Sequence, residues 1–315
     1  MPATPHDRRA VLTRDPARFL SAAAALPPDF GPATASEVFL VAPDGFARAG
    51  ESARDNRYMA DAAGFDAAQA MREHRGLQQA LSAHGPVLCF PGDPACPDGL
   101  FPNNVFATVP GRLIVGRMRH AVRRGEAGRG DIRGYFRDVL GYEERDLSTQ
   151  PHPCELTGAL VVDRLRGIGL CGLSERCDAE GATLMHEAFG LRATLAFELA
   201  PGEYHTNVVL AVLAGRAALF DPRGFADPAV AEVLERLYGP HAIAVGASEQ
   251  TAFACNAIAL DPDRVWMSER AAAALAPATR LRLASAGFQV ASVPLSAIEA
   301  AGGSLRCCVA EIFKL

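Results

Sequence analysis

The 315-residue sequence predicts an α/β protein built from five repeats that close into one ring. Polar residues recur at intervals of 50 or 51 residues, at Asn104, Glu155, His205, Asn256 and Cys307. Glycines that end helical stretches and open strands recur at intervals of 48 to 56 residues, at Gly85, Gly141, Gly190, Gly239 and Gly287. Equivalent positions of successive repeats surround one axis in a closed ring. We therefore expect Glu155, His205 and Cys307 to meet at that axis.

Each repeat is predicted to contain a β-hairpin, a helix and a third strand. Turn residues between β-rich segments mark four hairpins, with turns at 110–111, 163–167, 214–215 and 261–263. Apolar residues at helical spacing, or a glycine that ends the segment, predict helices over 67–84, 131–140, 179–189, 230–238 and 269–286. The last of these is expected to end or kink near Pro277. Apolar strands follow the glycines at 87–90, 193–197, 242–245 and 289–293.

Ring closure is predicted from the two ends of the repeat region. A strand over 37–43 completes the fifth repeat, and pairing with a final strand over 308–313 removes the exposed edges. Residues 36–315 then form a single α/β-propeller domain. Residues 1–35 lie outside the repeat as an N-terminal extension, with a helix expected over 19–26, and act as a cap or are partly disordered.

Composition narrows the classes of function. A hydrophobic fraction of 49% in 315 residues is enough for a large core. A net charge of −5 and a pI near 5.9 provide no basic surface for nucleic acid. Apolar segments fall short of the roughly 18 residues that span a membrane, and the start of the chain lacks a signal peptide. We expect a cytoplasmic protein, and a homo-oligomer stays open.

The eight cysteines are expected to be free thiols, most of them small core residues. A CxxC pair does not occur, so a zinc site has little support. Cys307 follows the glycine-rich segment AGGSLR, which lets backbone approach a bound substrate, and Arg306 could help to hold a thiolate. Considered alone, Cys307 fits a buried strand cysteine as well. Cys308 is expected in the core, on the opposite face of the same strand.

Glu155 and His205 complete a chemically coherent set with Cys307. A carboxylate that opens a strongly apolar hairpin needs a partner, whereas a single histidine before a strand is more often structural. A cysteine nucleophile, a histidine for proton transfer and a carboxylate suit covalent catalysis at a carbon bonded to nitrogen.

Four motifs resemble those of the penteins, the guanidine-modifying superfamily of arginine deiminases, dimethylarginine dimethylaminohydrolases and amidinotransferases. They are FPNN (101–104), ELTG (155–158), HTN (205–207) and GGSLRC (302–307). The citrulline-utilising hydrolases are the most similar branch, with a DxxFPNN motif here at 98–104 and an RCxxAEIF-like end at 306–313. The resemblance covers about residues 36–315 and implies a five-bladed ββαβ propeller, the pentein fold.

The resemblance also implies catalytic roles. Cys307 would attack the central carbon of a guanidino or ureido group. His205 would protonate the leaving nitrogen and then activate water, and Glu155 would orient both the substrate and the histidine. The intermediate would be a thiouronium or an S-carbamoyl cysteine, and no metal or organic cofactor would be needed.

Two asparagines distinguish the chain from arginine deiminases, which carry Asp where Asn104 and Asn207 stand. Asn103 and Asn104 in the FPNN motif, together with Asn207, suit a neutral ureido group because an amide both donates and accepts. We therefore expect citrulline to be hydrolysed to ornithine, carbon dioxide and ammonia. Asp98 could supply a negative charge and keeps arginine-type substrates open.

A substrate carboxylate requires arginine partners. The candidates are Arg117, Arg119, Arg123, Arg124 and Arg176, of which Arg124 and Arg176 match the related branch best. Asn256 is expected to order the fifth repeat through a hydrogen bond. Three alternatives stay open: an arginine deiminase or dimethylargininase-type hydrolase, an amidinotransferase, and a non-catalytic propeller that binds a partner.

Overall fold

The computed structural model describes residues 10–47, 49–59 and 66–314. The strands within these ranges are, in chain order, β1 (Val11–Thr13), β2 (Glu37–Val41), β3 (Val87–Phe90), β4 (Phe106–Val109), β5 (Arg112–Val115), β6 (Glu143–Asp146), β7 (Leu160–Asp163), β8 (Ile168–Leu173), β9 (Ala193–Glu198), β10 (Leu210–Leu213), β11 (Ala217–Phe220), β12 (Ala242–Ala244), β13 (Ile258–Asp261), β14 (Arg264–Ser268), β15 (Gln289–Val293) and β16 (Ala310–Ile312).

The described strands form five sheets with one shared pattern, an antiparallel hairpin followed by a third strand parallel to the second. The sheets are β4-β5-β6, β7-β8-β9, β10-β11-β12, β13-β14-β15 and β16-β2-β3. In the last sheet the C-terminal strand β16 pairs antiparallel with β2, and β2 pairs parallel with β3. The predicted closure, in which the N-terminal strand completes the last repeat, is confirmed.

The first strand of each sheet faces the centre of the ring. Strand β16 lies against β4, and β10 lies against both β7 and β13. Apolar clusters fill the space between neighbouring sheets and between the sheets and the surrounding helices. This arrangement is the five-bladed α/β propeller that the fifty-residue period predicts.

The helices are α1 (Pro16–Ala23), α2 (Ala67–Ser82), α3 (Ala121–Arg124), α4 (Gly130–Gly134), α5 (Leu156–Ala159), α6 (Ala179–Phe189), α7 (Thr206–Val209), α8 (Ala229–Tyr238), α9 (Ala247–Thr251), α10 (Glu269–Ala274), α11 (Pro277–Ser285), α12 (Ser296–Glu299) and α13 (Leu305–Cys308). A π-helical turn, Tyr135–Val139, extends α4. The break predicted near Pro277 is confirmed, since Pro277 is the first residue of α11.

Two local predictions need correction. The strand predicted over 308–313 begins only at Ala310, because Leu305–Cys308 forms the helical turn α13. Cys308 is fully buried in the core, as expected, but it reaches the core from a turn and not from a strand face. Of the five repeat glycines, Gly141, Gly190, Gly239 and Gly287 have positive φ, whereas Gly85 does not.

Counted in chain order from β16-β2-β3, the third blade is β7-β8-β9 and the fourth is β10-β11-β12. The first elements of the described chain join the third blade. Strand β1 pairs parallel with β9, so that this sheet has a fourth strand. Helix α1 follows, with Asp15 accepting hydrogen bonds from the first turn, and it packs on β9 and α8. The helix expected over 19–26 is present, although it begins earlier, at Pro16. In the described part of the chain, the helices are all too short or too polar to cross a membrane.

Candidate active site

The segments that precede the central strands converge on one cavity. Three different blades each contribute a predicted site residue to its lining. Asn104 precedes β4, His205 precedes β10 and Cys307 precedes β16. Residues of the 49–59 segment and a glycine pair cover the cavity from the other side. The full lining is Ser52, Asn56, Met59, Asp98, Phe101, Asn104, Arg123, Arg176, Tyr204, His205, Ala301, Gly302, Gly303 and Cys307.

The thiol of Cys307 lies at the edge of this cavity and is almost completely buried. Its sulfur is 3.3 Å from Asn256 Nδ2 and 4.0 Å from Asn207 Nδ2. Burial raises the pKa of the Cys307 thiol, and the hydrogen bond from Asn256 and the charge of Arg306 oppose that rise. The resting group is therefore a thiol that requires a base.

His205 lies within the same cavity. Its Nε2 donates to Glu155 Oε2 at 2.8 Å, and the acceptor-only carboxylate fixes this tautomer. The buried Nδ1 has no hydrogen-bond partner among the described residues and is left as an acceptor. Burial lowers the pKa of His205 more than Glu155 raises it, so the imidazole is neutral and able to accept a proton.

Glu155 is fully buried and held by three donors. Oε1 accepts from the main-chain N–H of Arg119 at 3.0 Å, and Oε2 accepts from Arg176 Nη1 at 3.2 Å as well as from His205. Burial alone would raise the pKa of Glu155, but Arg176 and His205 outweigh burial and hold it far below the usual range. Glu155 is therefore ionised and keeps His205 oriented.

Arg176 links the site to its cover. Its guanidinium forms a bidentate pair with Asp55, at 2.6 and 2.7 Å, and donates to the carbonyl of Ser52. Asn56 Nδ2 donates to the carbonyl of Gly302, from the opposite wall. The 49–59 segment thus closes over the cavity, a contribution that the sequence analysis did not identify because this segment lies outside the repeat landmarks.

Three asparagine side chains near the cavity have partnerless oxygen atoms. Oδ1 of Asn103, Asn104 and Asn207 is buried without a hydrogen-bond partner in the described structure. Asn104 lines the cavity, Asn207 approaches Cys307 from the far side, and Asn103 contributes its carbonyl to Thr157 Oγ1. Unpaired buried amides are costly and mark a place where a polar ligand group would be stabilised.

Glycines make this close packing sterically feasible. A Cβ atom at Gly158, in the ELTG motif, would lie 2.6 Å from Asn104 Oδ1 and 2.9 Å from His205 Nδ1. Gly302 has a φ of 82° and sits against Asn56, where a Cβ atom would lie 2.3 Å from Nδ2. At both motif glycines, polar side chains can therefore approach the backbone. A larger residue at either position would block this approach.

Asp98 is buried at the cavity wall beside Arg123. Ser52 Oγ donates to Asp98 Oδ2 at 2.5 Å, and Arg123 Nε lies 3.9 Å from the same oxygen. Arg123 itself forms a bidentate pair with buried Glu126, at 2.7 and 2.8 Å, and donates to the carbonyl of Phe101. Asp98 is thus the carboxylate that directly lines the cavity.

Of the two arginines that were ranked first, Arg176 lines the cavity and Arg124 does not. Arg124 is exposed, and its guanidinium donates to the carbonyls of Met118 and Arg119. It borders a separate cleft of about 700 Å³ together with Arg117 and Arg119. The arginine of this segment that reaches the cavity is Arg123, which the sequence analysis named as a candidate but did not rank first.

Chemically, the cavity joins a thiol, a neutral imidazole with a free acceptor nitrogen and an ionised carboxylate. These groups can form and break a bond between the sulfur and a planar carbon. Among the described residues, no cluster of three or more His, Cys, Asp and Glu side chains has the arrangement of a metal site.

Comparison with known proteins agrees with this geometry. Residues 42–314 match the family described as N,N dimethylarginine dimethylhydrolase, eukaryotic. The N(G),N(G)-dimethylarginine dimethylaminohydrolase of Mycobacterium tuberculosis is 30% identical over 245 residues, which cover 78% of this chain and 76% of that protein.

Solved structures show the same fold. The N-terminal domain of ArgZ, an arginine dihydrolase of the ornithine-ammonia cycle in cyanobacteria, superimposes with a TM-score of 0.77 at 21% identity, over 88% of this chain and 98% of that one. A dimethylarginine dimethylaminohydrolase adduct with S-methyl-L-thiocitrulline gives a TM-score of 0.66 at 21% identity, over 88% and 100%. The chain is a hydrolase of C–N bonds other than peptide bonds, and it belongs to the dimethylarginine dimethylaminohydrolase family of the pentein superfamily.

Proposed function

We propose that this protein hydrolyses a C–N bond of the ureido or guanidino group of an arginine-type amino acid through a covalent Cys307 adduct, and that citrulline is its substrate. The observation that carries the proposal is the composition of the cavity. Beside the thiol and the imidazole, amide groups of Asn104 and Asn207 stand near Cys307, and only one carboxylate, Asp98, lines the described cavity directly.

The proposed reaction has two steps. His205 Nδ1 takes the proton of Cys307, the sulfur attacks the ureido carbon, and His205 returns the proton to the nitrogen that leaves as the amine of ornithine. Water, deprotonated by His205, then attacks the S-carbamoyl cysteine. This step releases carbamate, which decomposes to carbon dioxide and ammonia, and restores the thiol. Glu155 holds His205 in the required tautomer throughout, through the 2.8 Å hydrogen bond to Nε2.

The preference for a ureido group follows from charge and hydrogen bonding. A neutral ureido group presents both an acceptor oxygen and donor nitrogens, which an amide can match from either end. The partnerless Oδ1 of Asn104 would accept from a ureido N–H. The cavity also contains the guanidiniums of Arg123 and Arg176, and these disfavour a further buried cation in the same space.

A guanidino substrate is the second candidate, and Asp98 favours it. A buried carboxylate is the residue type that pairs with a guanidinium, and Asp98 is almost completely buried at the cavity wall. The names of the related enzymes from M. tuberculosis and from cyanobacteria also point to methylated arginines and to arginine. Acceptance of both groups by one site would make the protein a dihydrolase.

A substrate panel tests the proposal. Purified protein is incubated with citrulline, arginine, monomethylarginine and asymmetric dimethylarginine, and ornithine, citrulline, ammonia and amine products are quantified. We expect ornithine and ammonia from citrulline. Turnover of arginine alone, with no ornithine from citrulline, contradicts the ureido assignment. If the amidino group of the substrate is isotopically labelled, transfer of the label to a second amine indicates an amidinotransferase.

Matched cysteine variants test the covalent step. Cys307→Ala is expected to lower kcat by at least about 1,000-fold, because the nucleophile is lost. Cys308→Ala removes the adjacent buried thiol, which lies outside the cavity, and should retain activity. Intact mass after acid quenching then identifies the group on Cys307 as carbamoyl or amidino. Unchanged activity in Cys307→Ala rules out the mechanism.

A further inference from the structure

Asn256 is the closest hydrogen-bond donor to the proposed nucleophile among the described residues. Its Nδ2 lies 3.3 Å from Cys307 Sγ, within the range of an N–H···S hydrogen bond, whereas Asn207 Nδ2 is 4.0 Å away. The Asn256 side chain is completely buried. The sequence assigned it only an ordering role in the fifth repeat, so the contact with sulfur is an addition to that role.

The orientation of the Asn256 amide is determined by its other contacts. Oδ1 accepts the main-chain N–H of Arg306 at 3.0 Å, and Nδ2 also donates to the carbonyl of Asn207 at 2.9 Å. Reversing the amide would place a donor against a donor and an acceptor against an acceptor. Nδ2 therefore points at the sulfur, and its two hydrogens are shared between the sulfur and the carbonyl.

The backbone before Asn256 adopts an unfavourable conformation. Phe253 has a φ of 66°, in the left-handed region that a bulky side chain rarely occupies. Its carbonyl accepts the N–H of Asn256 at 2.9 Å, and its ring packs on Tyr58 with centroids 5.0 Å apart. Strain of this kind persists where surrounding structure holds it, and it occurs frequently at functional sites.

We infer that Asn256 is a catalytic residue, which donates a hydrogen bond to the Cys307 sulfur as the sulfur becomes a thiolate nucleophile and again as it leaves the hydrolysed adduct. This inference rests on the proposed function, because it requires Cys307 to react. An N–H donor to an anionic sulfur is charge-assisted and therefore stronger than the same contact to a neutral thiol. Asn256 thus stabilises the state that attacks more than the resting state.

Apart from a main-chain hydrogen bond at Ser304, which also lowers the pKa of the Cys307 thiol, the polar groups described around the sulfur are engaged elsewhere. The guanidinium of Arg306 is turned to the carbonyl of Val309 and to Glu311. Tyr204 Oη donates to the carbonyl of Gly302. The remaining charged or titratable groups of the described cavity lining are Arg123, paired with Glu126, Arg176, paired with Asp55, Asp98, which accepts from Ser52, and the neutral His205. Burial raises the pKa of Cys307, and the Asn256 hydrogen bond works against that rise.

The variant Asn256→Asp separates the two roles of the side chain. An aspartate keeps the acceptor for Arg306 N–H and the same shape, but it replaces the donor to sulfur with an oxygen. Wild type and variant are compared by the rate of Cys307 alkylation with iodoacetamide across pH 6–10, followed by intact mass, and by kcat and KM for the active substrate of the panel.

We expect alkylation near neutral pH to slow by about tenfold or more and its pH profile to move to higher pH, since one unit of pKa is a tenfold change in thiolate. The kcat should fall at least about tenfold, while KM changes by less than about threefold, because the hydrogen bond acts on sulfur and not on substrate. Asn256→Ala, which introduces no buried carboxyl, should show the same direction if Asn256→Asp does not fold.

Thermal unfolding of each variant shows whether it is folded. A folded Asn256→Asp or Asn256→Ala protein with an unchanged alkylation profile overturns the inference. This outcome is distinct from failure of the proposed function. If Cys307→Ala retains activity, the covalent mechanism is wrong. If Cys307→Ala is inactive and the Asn256 variants alkylate like wild type, only the role inferred for Asn256 is wrong.

Discussion

The two groups that we propose to react are kept uncharged by burial. Burial raises the pKa of Cys307 and lowers that of His205, so the resting pair is a thiol and a neutral imidazole. Moving one proton between them creates a thiolate and an imidazolium together, beside the ionised Glu155. The thiolate and imidazolium charges form only when the proton moves, and groups already in place stabilise them.

Asp98 should control whether the site accepts a cation. We expect Asp98→Asn to lower kcat/KM for a guanidino substrate about 100-fold more than for citrulline, because a buried guanidinium then lacks its carboxylate partner and loses about 3 kcal/mol. The measurement is kcat/KM for both substrates with wild type and variant. Equal losses of kcat/KM for the two substrates would show that Asp98 does not discriminate between substrates by their charge.

Ser52→Ala is the matched control for Asp98→Asn. It removes the hydroxyl that donates to Asp98 Oδ2 but leaves the carboxylate and its charge. The ratio of the two kcat/KM values should therefore stay within about threefold of wild type, since a neutral hydrogen bond contributes about 1 kcal/mol or less.

The sequence predicted the positions of Glu155, His205 and Cys307 better than it predicted the side chains around them. The repeat period placed Glu155, His205 and Cys307 together because equivalent positions of a ring must converge. It could not rank Arg123 above Arg124, because both are arginines in the same short helix α3. Only the folded structure shows that Arg123 is buried in its pair with Glu126.

At the scale of elements, the sequence predicted the sheets more accurately than the site. Alternating turns and apolar segments locate the hairpins, and each predicted hairpin turn lies between two observed strands. The helical turns α5, α7 and α13, which carry or follow Glu155, His205 and Cys307, were not predicted. Four residues are too few to show a helical period, and their apolar side chains resemble the strands that follow.

Helix α2 introduces a pH-dependent contribution to stability through His74. Burial lowers the pKa of His74 from 6.5 to about 4. Between these values the unfolded chain binds a proton that the folded protein does not, so the free energy of unfolding falls as pH drops through this window. The full effect is about 3 kcal/mol, which urea unfolding at pH 7, 6, 5 and 4 measures.

A neutral replacement isolates this contribution. His74→Gln should reduce the slope of the free energy of unfolding against pH between pH 6.5 and 4. The slope that remains includes contributions from His186 and His205, whose pKa values burial also lowers. His84→Gln changes an exposed histidine just beyond the same helix and should follow the wild-type profile within about 0.5 kcal/mol. Identical slopes in His74→Gln and wild type would exclude His74 as the source.

For the whole molecule, the ring explains why distant motifs share one cavity. Closure brings β16 from the C-terminal end to β2 near the start, and this returns Cys307 to the side of Asn104. The repeat predicted this closure. It did not predict the pairing of β1 with β9, because a three-residue strand outside the period leaves too little pattern in the sequence.

We propose that residues 10–35 act as a stabilising extension of the third blade and do not take part in catalysis. Phe19 of α1 is completely buried in the cluster between the third and fourth blades, so Phe19→Ala should lower the free energy of unfolding by about 3–5 kcal/mol. Leu20, half-buried on the same helix, is the control, and Leu20→Ala should cost clearly less. Urea unfolding measures both, and kcat per folded molecule should match wild type, because the described part of the extension contributes no residue to the cavity. Unchanged stability in Phe19→Ala would mean that the extension is an independent appendage, and a lower kcat at full folding would mean that it supports the active site.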